Sequence, residues 1–478
     1  MTIGTARIPG RGLYALLSLA IVSVTGCIRY HAEPLSPGQS LEDFEARSLA
    51  APELGAFLTE RGEAASWPPE GWNLRSLTLA AFYYAPALDV ARAQWSVARG
   101  GVVTAGGRPN PTLTVGAGYN ATTPSSEVTP WIPEAVLDLP IEVAGKRGIR
   151  IEQAKQLSEA ARLSLVTAAW QVRGRVRQAF LSLYVAQQTD SLLARQREIQ
   201  TETARILEAQ RDAGEASPTL VTQARVALAA SRVAALDAAQ RATRARSELA
   251  DAVGVPPAAV DAVELDFSEL GRVDAVIPEE ESRLRALLHR SDILGSLAEY
   301  EASQKALQLE VRKQYPDISL GPGYQLDQTD TKWTLGLSFA LPLLNRNRGP
   351  IAEAAARREV AAARFLELQS RVLGQVETAV GSARAAATQV QAADTLLSAL
   401  DRQESTARRA YDVGEISRLE LLGLQTEAVT TAFARLDALS KAQSAVGALE
   451  DAMQTPLDME KWALDSPQRN PGTREDAR

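Results

Sequence analysis

Two stretches without proline, residues 149–212 and 351–412, each run for more than 60 residues. The second is mostly Ala, Arg, Glu, Gln and Leu, all strong helix formers, and both carry apolar residues at helical spacing. At about 1.5 Å per residue, helices of roughly 62 to 64 residues are about 95 Å long. No ordinary globule contains such a rod. An elongated tube or a coiled-coil scaffold does, and the 478 residues of the chain suffice for two or three domains of that kind. Aromatic residues are only 5% and alanine is abundant, which suits closely packed helices better than a thick core.

The two rods belong to two copies of one unit. "NPTLTVGAGYN" around Pro111 corresponds to "YPDISLGPGYQ" around Pro316, 205 residues later. "LPIEVAGKRGIRIEQAK" from Leu139 corresponds to "LPLLNRNRGPIAEAAAR" from Leu341, at a spacing of 202. "RDAGEASPTLVTQ" from Arg211 corresponds to "YDVGEISRLELLG" from Tyr411, at 200. Three blocks in one order with slowly drifting spacing mark a structural unit used twice. Each copy predicts a helix, two strands, a rod and a return helix. The first helix covers Pro86–Gly106, after a shorter piece from Asn73, and residues 281–313 in the second copy. The return helices cover Pro218–Val253 and Arg418–Met453. Gly214 and Gly414 fall where a helix ends on a left-handed residue. Ser217 and Ser417 stand as the following N-caps, with Pro218 in the first turn.

The strands are predicted at about 112–121, 135–140, 317–325 and 332–341. In the last, Trp333, Leu335, Leu337, Phe339 and Leu341 point one way and Thr334, Gly336, Ser338 and Ala340 the other. Leu113, Val115, Ala117 and Tyr119 alternate likewise with Thr112, Thr114, Gly116, Gly118 and Asn120. The 135–140 strand has the weakest pattern, interrupted by Asp138. A half-buried sheet in a soluble domain has the same alternation. Export of the chain, strand lengths near nine to eleven residues and a small, polar opposite face favour strands that cross a membrane. Tyr119, Tyr324 and Trp333 then stand where an interfacial aromatic belt is expected. Four strands cannot close a barrel in lipid, so their edges must be satisfied by further protomers.

Export is read from the N-terminus. Arg7 and Arg11 precede the apolar run "LYALLSLAIVSV", which ends at "TGC": a signal peptide over residues 1–26. Val24-Thr25-Gly26-Cys27 resembles a bacterial lipobox, with Cys27 the first mature residue and the site of lipidation. An ordinary signal peptide with a chance small-residue site is the alternative. Ile28 is not the aspartate that retains such lipoproteins in the inner membrane, which favours the outer one. Cys27 is the sole cysteine, so there is no disulfide framework or cysteine metal cluster. A net charge of -7 argues against a nucleic-acid partner. His31 and His289 do not have metal-ligand spacing, and "GGVVTAGG" lacks the lysine and hydroxyl residue of a phosphate loop. No catalytic constellation, metal site or cofactor is expected, and the chain reads as a non-enzyme.

The segments "YYAPALDVARAQW" (83–95), "PIEVAGKRGIRIEQA" (140–154) and "LPLLNRNRGPIAEA" (341–354) are similar to those of the bacterial outer membrane efflux family, the trimeric channel-tunnels. The resemblance extends over about residues 72–453 and is closest to the heavy-metal efflux outer components. It implies a mixed α+β membrane protein: a homotrimer whose four strands per protomer complete a 12-stranded β-barrel, continuous with a long periplasmic α-helical barrel. The implied organisation is a lipidated (palmitate-bearing) equatorial segment 27–71, a first repeat 72–254, an equatorial linker 255–280, a second repeat 281–454 and a C-terminal equatorial segment or flexible tail 455–478. The implied partners are a periplasmic adaptor and a proton-driven inner-membrane pump of the resistance-nodulation-division type, with outer-membrane lipid around the barrel. The chain itself would be a passive conduit for heavy-metal cations. The turns at 212–218 and 412–418 would form the periplasmic tip. There Glu420 matches a family acid that lines the constriction, with Arg418 as its salt-bridge partner, while a second family acid is replaced by Gly423. Two other readings stay open: the same channel exporting drugs or other small molecules, and a periplasmic coiled-coil scaffold or adaptor lipoprotein.

Overall fold

The computed structural model of the protein describes residues 30–61, 67–122, 129–273, 278–327 and 330–457. The signal segment, Cys27 and most of the C-terminal tail lie outside the described residues. The chain divides into two units, up to Arg47 and from Ser48 onward. In the first, a short helix α1 (Pro37–Glu45) starts from Ser36, whose Oγ accepts the Gln39 N–H.

The second unit holds both repeats. After α2 (Pro52–Thr59), the first repeat consists of α3 (Leu74–Tyr84), α4 (Pro86–Gly106), β1 (Thr112–Tyr119), β2 (Trp131–Ile141), the rod α5 (Lys146–Asp212) and the return helix α6 (Pro218–Val253). A short helix α7 (Pro257–Asp261) and a 3₁₀ turn at Ser268–Gly271 lead to the second repeat. It consists of α8 (Glu279–His289), α9 (Ser291–Arg312), β3 (Ile318–Asp327), β4 (Asp330–Phe339), the rod α10 (Arg348–Asp412) and the return helix α11 (Arg418–Met453). At 67 and 65 residues, the rods are each about 100 Å long. The expected single helix over 281–313 is instead two, because Arg290 is extended (ψ 126°). Its buried guanidinium turns in to the Ala452 carbonyl at 2.7 Å and to Asp292 at 2.6 Å, giving the backbone break a compensating bond at a helix C-terminus.

The four strands form one antiparallel sheet in the order β1-β2-β3-β4. The second strand starts at Trp131 and not at 135, and the last two end at Asp327 and Phe339. Pro133, Glu134 and Asp138 weaken the strand signal of β2 in the sequence, yet pairing with β1 on one side and β3 on the other holds it extended. The register aligns Leu113 with Leu137 and Tyr119 with Trp131, then Leu139 with Leu320, and finally Leu320 with Leu337 and Tyr324 with Trp333. Residues paired across antiparallel strands share a face. The apolar halves of all four strands therefore make one continuous surface.

Below the sheet the repeat is visible in the core. Val172, Val176, Ala179 and Val372, Val376, Ala379 are buried at a spacing of 200 residues, as are Leu249, Ala252, Val253 and Leu449, Ala452, Met453. Each trio locks a rod to its return helix. In the first repeat, Trp72 and Leu77 of the N-terminal segment and Val260 and Leu270 of the linker join this core. The return helices end in left-handed residues, Gly254 (φ +86°) and Gln454 (φ +48°). Gln454 spends its less favourable conformation on a helix start: its Oε1 accepts the Ser291 N–H at 2.8 Å and Oγ–H at 2.7 Å, capping α9.

Candidate functional site

The apolar sheet face is uncovered in the single chain. Val115, Trp333, Leu335 and Leu337 are each more than half exposed. Opposite them lies a face of Thr112, Thr114, Gly116, Ser319, Gly321, Thr334, Gly336 and Ser338, set by the same register. A sheet with one broad apolar face and one small, polar face, neither covered by helices, suits lipid on one side and water on the other. Tyr119 meets Trp131 edge-on at 5.1 Å, and Tyr324 meets Trp333 at 5.0 Å. These aromatic pairs stand at the ends of the two hairpins farthest from the rods. Trp131 lies four residues before the strand start expected from the sequence, and the structure adds it to the aromatic set. No helix among the described residues is long and apolar enough to cross a membrane. Among the described residues, β1 and β4 each have one edge without a strand partner.

Sheet and rods are joined by charged residues in "GKRGIR". Gly145 (φ +70°) lets the chain turn into α5. Lys146 Nζ pairs with Asp317 at 2.8 Å, and Arg150 with Glu142 at 2.6 Å. Arg147 and Arg150 donate to the carbonyls of Gly106 and Ala105 at 2.7 and 3.0 Å, cationic groups at the negative end of α4. In the second repeat Asn347 (φ +57°) makes the turn, and its Nδ2 donates to the Glu310 carbonyl at 2.7 Å. The sequence motif is thus a helix–strand joint.

Midway down, the rod of the first repeat meets the return helix of the second through buried charge. Glu450 Oε2 accepts from Arg173 at 2.8 Å and Arg177 at 3.1 Å, and its Oε1 accepts the Leu457 N–H at 2.9 Å. Arg177 also donates to Gln443 Oε1 at 3.2 Å. Such an ensemble fixes the relative register of α5 and α11. More than 260 residues separate its members in sequence, so no local pattern announces it.

At the opposite end of the rods from the sheet lie the two helical turns. Gly214 and Gly414 adopt φ +82° and +81°. The following N–H groups, of Glu215 and Glu415, bond back to Gln210 and Ala410 at 2.7 and 2.8 Å, closing Schellman motifs. Ser217 caps α6 through the Leu220 N–H at 3.3 Å. Ser417 and Glu420 form a full capping box: Ser417 Oγ accepts the Glu420 N–H at 3.2 Å, and Glu420 Oε2 accepts the Ser417 N–H at 2.7 Å. Hydrogen bonding from the Ser417 backbone and side chain holds the exposed Glu420 carboxyl below its ordinary range. The expected Arg418–Glu420 pair is not formed. Arg418 lies over the Tyr411 ring, 5.5 Å from its centre, because the Glu420 carboxylate is already committed to the cap. A different ion pair joins the two hairpins: Arg195 of α5 meets Glu404 of α10 at 3.2 Å, and Gln425 of α11 donates to Glu404 at 3.0 Å. Beside the turn, α10 and α11 leave a groove lined by Thr406, Ala407, Ala410, Glu420 and Gly423.

Among the described residues no group of three His, Cys, Asp or Glu is placed to hold a metal ion. The geometry offers a sheet with one exposed apolar face and long helical hairpins.

Comparison with known proteins agrees with this architecture. The family model described as outer membrane efflux protein matches residues 81–255 and 284–454, the two repeats. The cobalt-zinc-cadmium resistance protein CzcC of Cupriavidus metallidurans CH34 is 26% identical over 347 residues, covering 71% of this chain and 79% of that protein. Among solved structures, the outer-membrane channel OprN superposes with a TM-score of 0.64 at 20% identity, covering 80% of this chain and 89% of OprN. The outer membrane protein VceC of Vibrio cholerae does so at 0.65 and 20%, covering 80% and 96%. At these identities the structural matches establish the fold.

Proposed function

We propose that this chain, which belongs to the outer membrane efflux protein family and is an efflux channel of the outer membrane, serves heavy-metal export. The relationship to a cobalt-zinc-cadmium resistance protein over most of both chains is the observation that carries this reading. Its relatives are transport proteins, and the chain is a conduit and not an enzyme.

In this reading three protomers close a twelve-stranded barrel, which satisfies the free edges of β1 and β4 within lipid. The small, polar sheet face lines the water-filled passage and the rods continue it into the periplasm. Energy enters elsewhere, at a proton-driven inner-membrane pump, with a periplasmic adaptor meeting the tips at 212–218 and 412–418. The groove beside Gly423, where Thr406, Ala407 and Ala410 are flanked by Arg402, Gln403 and Leu424, suits an inserting helix. Cys27, acylated, anchors the N-terminus in the membrane. Divalent cations pass without a resident binding site, since tight ligation would slow their exit. Three Glu420 carboxylates around the axis would favour cations by field focusing, while each also keeps its own helix capped. The Arg195–Glu404 pair, which joins the hairpins, is the contact that separation of the tips would break.

The test is deletion of the gene and challenge with zinc, cobalt, cadmium and a panel of drugs. Sensitivity to the metals alone, reversed by the intact gene, supports the proposal. Sensitivity to drugs with unchanged metal tolerance replaces the cargo and leaves the channel. For the gate, Glu420→Ala raises single-channel conductance or lowers cation preference; if both stay as in the native channel, Glu420 does not line the constriction. A Cys27→Ala variant should lose acyl-chain labelling and keep its barrel.

A further inference from the structure

The two joints between sheet and rods correspond at a spacing of 202 residues, but they are not equally satisfied. At the first, Lys146 is buried against Asp317 at 2.8 Å, and Arg150 holds Glu142 at 2.6 Å. At the second, Leu344 stands in the place of Glu142 and Ala352 in that of Arg150, so that ion pair is gone. Arg348 stands in the place of Lys146, and Arg346 in that of Ala144. Both arginines are exposed and make no ion pair among the described residues. Beside them Leu341, Leu343 and Leu344 are 65%, 74% and 103% exposed.

The chain holds this loop in place. The Leu343 N–H donates to the Leu341 carbonyl at 2.8 Å. Asn345 Oδ1 accepts the Asn347 N–H at 2.9 Å, and Asn347 Nδ2 donates to the Glu310 carbonyl at 2.7 Å and to its carboxylate at 2.9 Å. Three leucines are thus fixed outward, next to two guanidinium groups that the chain does not neutralise. Leu341 continues the apolar row Trp333, Leu335, Leu337 and Phe339 of β4, so the leucines extend that exposed face toward the rods. Arg346 and Arg348 follow Leu344 by two and four residues, within about 7 and 14 Å along the chain. Apolar side chains followed by arginine suit the boundary between hydrocarbon and headgroups. A second copy does not offer the missing carboxylate. In a closed barrel the strand beside β4 is β1 of another copy, where Thr112 occupies the place that Asp317 has before β3.

We propose that the second joint binds an anionic phospholipid, of the phosphatidylglycerol type, in the leaflet nearest the rods. Arg346 and Arg348 take the phosphate, the fork of each guanidinium matching two of its oxygens. Leu341, Leu343 and Leu344 lie along the acyl chains. A zwitterionic headgroup carries its own cation beside the phosphate and gains less from the two arginines. The first joint takes no such lipid, because its cations are spent on Asp317, Glu142 and the carbonyls of Gly106 and Ala105. The inference rests on the membrane-spanning sheet of the proposed function and adds a lipid site, one per chain, that sets how deep the sheet sits in the bilayer.

The test uses the full-length protein in phosphatidylcholine vesicles. These contain a minor share of either phosphatidylglycerol or phosphatidylcholine brominated high on the acyl chain, since bromine quenches tryptophan on contact. Emission of the L344W variant, read as the difference from the native protein, should be quenched several-fold more by the brominated phosphatidylglycerol. R346Q/R348Q on the same background should make the two lipids equal. Equal quenching before that exchange, or a preference that survives it, overturns the headgroup site. The L337W variant, on the apolar face of β4, is the control and should be quenched by both lipids alike. If L337W is quenched and L344W is not, protein covers Leu344 and the site is overturned while the membrane-spanning sheet stands. If L337W is quenched by neither lipid, the reading of the sheet falls and the site with it.

Discussion

Replacing Glu450 with alanine tests whether buried charge holds the two repeats together. In the native chain Arg173 and Glu450 are 3% and 6% exposed at their side chains, and Arg177 12%. Truncation at Glu450 removes the shared acceptor of two buried guanidinium groups and the acceptor of the Leu457 N–H. Breaking a buried ion pair from one side costs about 3–5 kcal/mol, because the guanidinium groups lose a carboxylate acceptor in a site poor in water. The Arg195–Glu404 pair is a built-in comparison. Arg195 is half exposed there, and truncating that exposed partner, which leaves Glu404 its bond from Gln425, costs about 1 kcal/mol or less. Denaturant titration in detergent, followed by tryptophan fluorescence, should therefore move the midpoint far more for Glu450→Ala than for Arg195→Ala. Exchanging all three charged groups, as R173M/R177L/E450M, should recover most of the loss, since apolar replacements of similar volume remove the desolvation cost as well as the attraction. A Glu450→Ala protein within about 1 kcal/mol of the native one would refute the view that this cluster fixes α5 against α11.

Other perturbations separate the remaining parts of the account. Leu337→Arg, on the exposed apolar face of β4, should cost about 2–4 kcal/mol of stability in lipid if that position lies near the bilayer midplane; Ser338→Arg, on the opposite face, should cost much less and alter conductance instead. Gly254→Ala places a Cβ 2.9 Å from the Tyr84 carbonyl oxygen at φ +86°, so a loss of about 1–3 kcal/mol should appear as a lower melting temperature, and a neutral result would mean the α3–α4 junction yields easily. The depressed Glu420 carboxyl contributes to the cap above the ordinary glutamate range and loses that contribution as pH falls through its lower folded value. Acid nicking by pepsin at 412–418 should therefore increase as pH drops below about 4, whereas Glu420→Gln, lacking the charge, should show a flatter profile.

Much of the architecture is legible in the sequence because it is written locally. The rods declare themselves by length, propensity and the absence of proline. Gly214, Ser217, Pro218 and Ser417 mark turns whose hydrogen bonds involve only nearby residues, and the spans Pro218–Val253 and Arg418–Met453 follow from those marks. What is hidden depends on distant partners. β2 reads poorly by itself because Pro133, Glu134 and Asp138 spoil its alternation, and only pairing on both edges makes it a strand from Trp131 onward. Arg290 gives no local sign of a break; its bond to the Ala452 carbonyl comes from the far end of the chain. At Glu420 the partner is local as well: Ser417, three residues before it, shares the helix cap with it, while Arg418 lies over the Tyr411 ring.

The most direct measurement is the structure of the purified protein in a lipid nanodisc by electron cryomicroscopy. The account predicts three copies around one axis, a twelve-stranded barrel with Leu335 and Leu337 turned to lipid, and a passage running from it between the rods. A monomer whose sheet folds back on its own helices, or an assembly with no axial opening, would contradict it.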